Sequence, residues 1–311
     1  IELTSLGLDA TAELLAETLR ESAPSLRPFA ELIFTKTHGN PFFALQLVSS
    51  LAEEQLLTPA ASSGGWKWSI DAIRARRLTE DVATLVTARI SRLSGPAREL
   101  LERLACLDDS ADTATLGLLC GAEITAALEE VLAAGLVEAT PTGNRFAHDR
   151  VSEAAYALVP EARRPAAHLD VARKLHRACG AIVPDEAVFT IASQYNRALR
   201  LLEADERIPV AELDLAAARR ARGATAYASA LAYASAGMEL LREATPKHEL
   251  AFELGLLQAE CRLLTGDVEA ARSELAVMAR IATTAVDRAA VTCLQIDLHT
   301  LLDRSDLGVG V

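Results

Sequence analysis

From Pro160 to Val311 the sequence carries no strand signal, and this constrains the fold more than any other feature, since only helices remain open to half of the chain. Breaks near Gly180–Pro184, Ala204–Pro209, Gly223, Thr245–Pro246, Gly266 and Thr283–Thr284 divide it into helices of about 15–20 residues. The stretch ATAYASALAYASAGMELL (224–241) places small residues every three or four positions, which lets helices approach closely. The next pair, HELAFELGLLQAECRLLTGDVEAARSELAVMARIA, reads as a helix, a Gly-Asp turn and a second helix. Ala259, Leu263, Gly266 and Ala270 are expected at its crossing. This spacing resembles TPR-like repeats of about 34 residues, and a plain α-solenoid fits nearly as well. The prediction is an all-helical superhelix.

Composition agrees. Of the 311 residues 50% are hydrophobic and only 4% aromatic, which favours helices over sheets. The net charge of −12, with Lys only at positions 36, 67, 174 and 247, excludes a general polyanion binder. Five scattered cysteines (Cys106, Cys120, Cys179, Cys261, Cys293) without a CxxC argue against a disulfide framework or zinc knuckle and point to a reducing cytoplasm. No signal peptide opens the chain and no apolar run is long enough to span a bilayer. A start at Ile1 in mid-pattern suggests a piece of a longer protein.

The first half is more varied. Residues 9–22 read as a helix capped by Asp9, and a second helix is expected from Pro28 to His38 with Gly39 as its stop. A third begins at Pro41. The segment 61–79 reads as a linker in which WKWSI is a short strand, with Trp66 and Trp68 expected to pack the wing-side hairpin. Helices are expected at 80–93, 95–107, Asp112–Cys120 and Glu123–Ala134. LVEATPTGNRFAHD then reads as strand, turn, strand, and 149–159 as a helix. Three helices followed by a β-hairpin is the order of a winged helix. The organisation is therefore a helical lid (1–60), a winged helix (80–159) and a TPR-like helical region (160–311): mainly α, with one small hairpin.

No catalytic constellation is present. A phosphate-cradling P-loop needs Gly-Lys before Ser or Thr, and the chain contains no Gly-Lys dipeptide. GxGxxG and GxSxG are absent, the six histidines lack metal-ligand spacing, and His148-Asp149-Arg150 has the wrong order for a kinase catalytic loop.

Two segments carry a family resemblance: THGNPFFALQLV (37–48) and NRFAHDRVSEAAYALVP (144–160). With the order of elements, they resemble the lid and winged-helix portions of STAND-type signalling ATPases, relatives of the AAA proteins. The helical segments beyond them resemble one subgroup, the large bacterial proteins that join a serine/threonine kinase, an AAA-like ATPase, a helical repeat region and often GAF and histidine-kinase modules. The resemblance covers nearly the whole chain. It implies that Gly39, Asn40 and Pro41 form a lid turn whose proline packs against adenine. It implies that His148, followed by Asp149, contacts the β-phosphate of ADP and holds a closed state; Ala147 departs from the family's Met at this motif. The P-loop, Walker B acid and magnesium ligands would lie upstream. ATP/ADP would thus bind with magnesium in the parent protein, and none would be held by this chain alone.

Plainer readings stand beside these. Gly39 and Pro41 can simply end and start helices, and His148 can be a buried strand-end residue. Asp149 can be an N-cap in either case. Phe42 and Phe43 are expected in the core, Arg150 solvated or in a salt bridge in place of reaching a phosphate, and Arg74, Arg76 and Arg77 on a solvated face. Arg219, Arg220 and Arg222 mark a helix end or a partner groove. DNA binding is disfavoured, because Glu123–Ala134, the expected reading helix, has acidic residues and no basic one. The expected function is the regulatory and scaffolding part of a STAND-type ATP-binding signalling protein. Its partners would be an upstream nucleotide-binding domain and downstream signalling modules in cis, with further proteins bound through the helical region. A LuxR-type ATP-binding transcription regulator and a stand-alone TPR-like adaptor without nucleotide are the alternatives.

Overall fold

The structure is a computed structural model that describes residues 4–60, 65–75, 82–107, 109–121, 124–180, 182–242 and 248–302. It divides into two compact units, Ile1–Pro160 and Glu161–Val311. The chain is mainly α, with a helical lid and a winged helix in the first unit and a TPR-like helical array in the second.

The lid comprises α1 (Leu8–Leu19), α2 (Ala23–Thr37) and α3 (Pro41–Glu53). The sequence places the first caps differently. Gly7, not Asp9, precedes α1, and Asp9 sits in the first turn, where it pairs with Arg27. Helix α2 starts five residues before Pro28, after Ser22 and with Pro24 in its first turn. Pro28 lies so near this start that the helix forgoes only the bond to the Pro24 carbonyl. Leu15, Leu26, Phe29, Ile33, Leu47 and Leu51 form the lid core.

Two short strands, β1 (Leu57–Pro59) and β2 (Trp66–Trp68), pair antiparallel, and α4 (Ile70–Ala75) follows. The tryptophans face the lid and not the wing. The Trp66 indole N–H donates to the Leu19 carbonyl at 2.9 Å, and the Trp68 ring lies 5.4 Å from that of Phe29. Both Trp residues and Ile73 pack with the lid core.

The winged helix runs α5 (Val82–Arg92), α6 (Gly95–Cys106), β3 (Ser110–Ala111), α7 (Thr113–Cys120), α8 (Ile124–Ala133), β4 (Val137–Thr140), β5 (Gly143–Phe146) and α9 (Asp149–Leu158). The sheet order is β3-β5-β4, all antiparallel. Strand β3 is too short to leave a sequence signal; it completes the wing by pairing Ser110 with Arg145.

The second unit contains α10 (Arg164–Cys179), α11 (Val188–Asn196), α12 (Arg207–Gly223), α13 (Tyr227–Leu241), α14 (His248–Leu264), α15 (Val268–Ile281) and α16 (Ala285–Leu301). Breaks fall near Gly180–Pro184, Gly223, Gly266 and Thr283–Thr284 as the sequence places them; the one expected at Ala204–Pro209 ends earlier, with Pro209 inside the first turn of α12, a further break follows Asn196, and Thr245–Pro246 lies outside the described residues. The small residues of α13 do pack closely. Ala230 and Ala234 are fully buried, and a Cβ added to Gly237 would come within 3.0 Å of Leu254 and 3.3 Å of the Asp214 Cβ. At the α14–α15 crossing Ala271 is buried in the core beside Ala259 and Leu263, while Ala270 lies one position off the buried face.

Candidate functional site

The site is built from two helix starts in the first unit. Helix α2 ends with His38 and Gly39, both in left-handed conformation (φ 51° and 74°). Gly39 is required here for space as well as for its φ, because an added Cβ would sit 2.0 Å from the Leu6 carbonyl oxygen. The same close approach lets the Leu6 N–H donate to the Gly39 carbonyl at 2.8 Å. Asn40 then caps α3, its Oδ1 accepting from the Phe43 N–H at 3.0 Å, and Pro41 takes the first helical position, exposed.

The second start follows the wing. His148 has an extended backbone (φ −163°), and its Nδ1 accepts from the Arg150 N–H at 3.1 Å. His148 is therefore the N-cap of α9, and Asp149, which the sequence offers as a cap, lies inside the first turn. An acceptor role for Nδ1 assigns the proton of the neutral ring to Nε2, leaving one N–H donor on the ring's outer edge. Of the two structural readings of Arg150, solvated or salt-bridged, it takes the second, pairing with Glu153 at 2.7 Å on the exposed side of α9. Asp109 secures the turn: its carbonyl accepts from the Phe146 N–H at 3.1 Å and its carboxylate from the Ser152 hydroxyl.

Phe42 brings the two together. Its ring stacks on the His148 imidazole, centroids 4.3 Å apart and planes 18° from parallel, and it packs against the winged-helix core. Phe43, the next residue, is buried in the lid core. Sequence reasoning puts both phenylalanines in one core; the 100° turn per helical residue sends them to two.

A second tie escapes sequence reasoning altogether. Arg89 on α5 is only 6% exposed. Its guanidinium reaches Gln46, Glu53 (3.0 Å) and the Ala134 carbonyl (2.8 Å), so one side chain bonds α3 of the lid and the end of α8. Arginines are ordinarily exposed, and nothing in the local pattern of α5 marks this one as buried. The five expected site residues thus lie at one corner. Gly39, Asn40 and Pro41 open α3, His148 and Asp149 open α9, and Phe42 joins them. Pro41 and Asp149 are exposed, so among the described residues this corner is an open edge. Two helix N-termini and an imidazole donor suit an anion, and the exposed proline ring suits an apolar face.

Arg219, Arg220 and Arg222 pair with Glu253, Asp185 and Glu260 on neighbouring segments of the second unit. Arg74 is exposed; Arg76, Arg77 and Glu123 lie outside the described residues. The described part of the expected reading helix, α8, carries no basic residue, and the wing's Arg145 pairs with Glu138 at 3.1 Å. Among the described residues no group of three or more His, Cys, Asp or Glu is arranged to hold a metal ion, and no helix is long and apolar enough to cross a membrane.

No family model matches the chain. It is 22% identical, over an alignment of 298 residues, to hybrid signal transduction histidine kinase G of Dictyostelium discoideum; the match takes in 78% of this chain and 9% of that protein. A crystal structure of a signal transduction ATPase with numerous domains (STAND), bearing a tetratricopeptide repeat sensor, from Pyrococcus horikoshii matches with a TM-score of 0.50 at 14% identity. That match covers 96% of this chain and 45% of the other. The likeness to that structure is one of fold. The chain spans about a tenth of its curated relative and less than half of the solved one.

Proposed function

We propose that this chain is the regulatory and scaffolding part of a STAND-type signalling protein, in which the α3 and α9 starts complete an ATP/ADP site whose P-loop lies in another segment. The observation that carries this reading is the Phe42–His148 stack, which holds the lid turn and the winged-helix histidine at one open corner. Pro41 would face the adenine. His148 would donate from Nε2 to a phosphate oxygen, with the α9 start adding its positive dipole end. The nucleotide itself supplies the charge that distinguishes one state from another. What this chain supplies is a link from that charge to the wing, so that loss of a phosphate contact frees the winged helix from the lid. Hydrolysis, where it occurs, would belong to upstream residues with their magnesium.

The helical unit would bind protein partners and pass the nucleotide state to modules in cis. The test uses the native gene product. ADP should bind to it and not to residues 1–311 alone, and His148→Ala should weaken ADP by about tenfold or more, the worth of a hydrogen bond to a charged group. A native product lacking a Gly-x-x-x-x-Gly-Lys segment, or ADP affinity unchanged in His148→Ala, overturns the reading.

A further inference from the structure

The second unit buries one carboxyl group completely. Asp214 on α12 is 0% exposed. Its Oδ1 accepts from the Asn196 side-chain N–H of α11 at 2.7 Å. The other two polar atoms of this pair, Asp214 Oδ2 and Asn196 Oδ1, are both buried and both without a hydrogen-bond partner. Both are acceptors while the carboxyl is ionised, so neither can satisfy the other. Each orphan would cost about 1–3 kcal/mol, and an unpaired buried anion more.

One proton resolves both. Where the amide N–H syn to the Asn196 carbonyl makes the first bond, the remaining two oxygens face one another. A hydrogen on Oδ2 then donates to the amide oxygen and closes a two-bond ring. We infer that Asp214 is held as the neutral acid and forms a reciprocal acid–amide pair with Asn196, a lock between α11 and α12 that is released when the proton leaves to solvent. The release is a proton transfer to hydroxide or water: Asp214–COOH becomes the carboxylate, the O–H···O bond is lost, and the N–H···O bond remains.

The surroundings favour the neutral form. From α11 Asp214 meets the Asn196 amide, and from α13 the backbone of Gly237, with Leu254 of α14 packed behind it. Arg197 and Glu239 line the groove between α11 and α13 that Asn196 also faces, a cavity of about 470 Å³, and Glu253 of α14 is paired with Arg219. None of them acts on the carboxyl. Its pKa is raised to about 8 by desolvation, opposed only by the Asn196 hydrogen bond. The lock therefore holds near neutrality and loosens above it, at the wall of a groove open to a ligand or partner.

Amide hydrogen exchange of the full chain across residues 188–223, corrected for the intrinsic effect of pH, tests this. In wild type, protection should fall by about tenfold per pH unit as pH rises towards 8, because the native form holds a proton that the opened form has lost. Asp214→Asn should remove that fall and protect at least as well at pH 8, since its new N–H takes the place of the acid proton. Infrared spectroscopy should show a protonated-carboxyl band near neutral pH that Asp214→Asn removes. A variant that fails to fold, a variant with the wild-type pH profile, or a missing carboxyl band would each overturn the pair. An ionised Asp214 predicts the opposite for the variant, poorer protection at every pH.

Discussion

The Phe42 ring covers one face of the His148 imidazole at 4.3 Å, while Nδ1 of that imidazole caps α9. The histidine is therefore fixed twice, by packing and by a hydrogen bond, and the lid and wing share it. Phe42→Ala should destabilise the first unit by about 2 kcal/mol, from lost burial and stacking together. It should also shift the His148 ring proton resonances downfield as the ring current disappears. Unchanged His148 resonances would mean that the stack does not form in solution.

Arg89 should be irreplaceable by lysine. Its three acceptors, Gln46, Glu53 and the Ala134 carbonyl, lie where a planar fork can serve them and a point charge cannot. Arg89→Met should cost about 2 kcal/mol in urea unfolding, because the buried Gln46 side-chain oxygen is left unpaired while Glu53 keeps Arg92. Arg89→Lys should recover less than half of that. Full recovery by lysine would show that charge alone matters.

Gly39→Ala should be more damaging than its size suggests, by about 2 kcal/mol or more, because the new methyl meets the Leu6 carbonyl and the backbone is left-handed. The neighbouring His38 has the same handedness without the clash, so His38→Gly should be neutral or stabilising. Thermal unfolding of both variants separates the two causes.

Asp287 gives the helical unit an acid-side dependence. Its carboxylate accepts from the Thr284 N–H and from the N–H and hydroxyl of Thr283, while its own N–H donates to the Thr284 hydroxyl; these bonds, those of Thr284 first, hold its pKa down to about 2. A depressed carboxylate adds stability that is fully present above its unfolded value near 3.9 and is lost as pH falls towards 2. Asp287→Asn should flatten the acid unfolding curve in that window, as followed by circular dichroism. An unchanged curve would remove the capping box at α16 as its source.

Thiol reactivity should divide by burial. Cys261 is buried and its pKa is raised to about 11, whereas Cys293 is exposed on α16. A maleimide at neutral pH should label Cys293 first, and Cys261 only after unfolding. Mass spectrometry of the labelled peptides decides it.

Much of the fold is legible in the sequence because it is local. Helix stops at Gly39, Gly223 and Gly266, the cap at Asp112 and the wing hairpin all rest on residues within a few positions of one another. The periodic small residues of α13 likewise announce close packing before any partner is known. The site is half legible: the turn at 39–41 and the pair at 148–149 are visible as motifs. Their meeting is not, since it depends on which way Phe42 turns from a helix more than a hundred residues away. The same limit explains Arg89, Trp66 and Asp214. Whether a side chain is buried, and beside what, depends on contacts between distant segments, so only the tertiary structure could decide that an arginine ties two subdomains. Nor could local patterning show a carboxyl with a single amide for company.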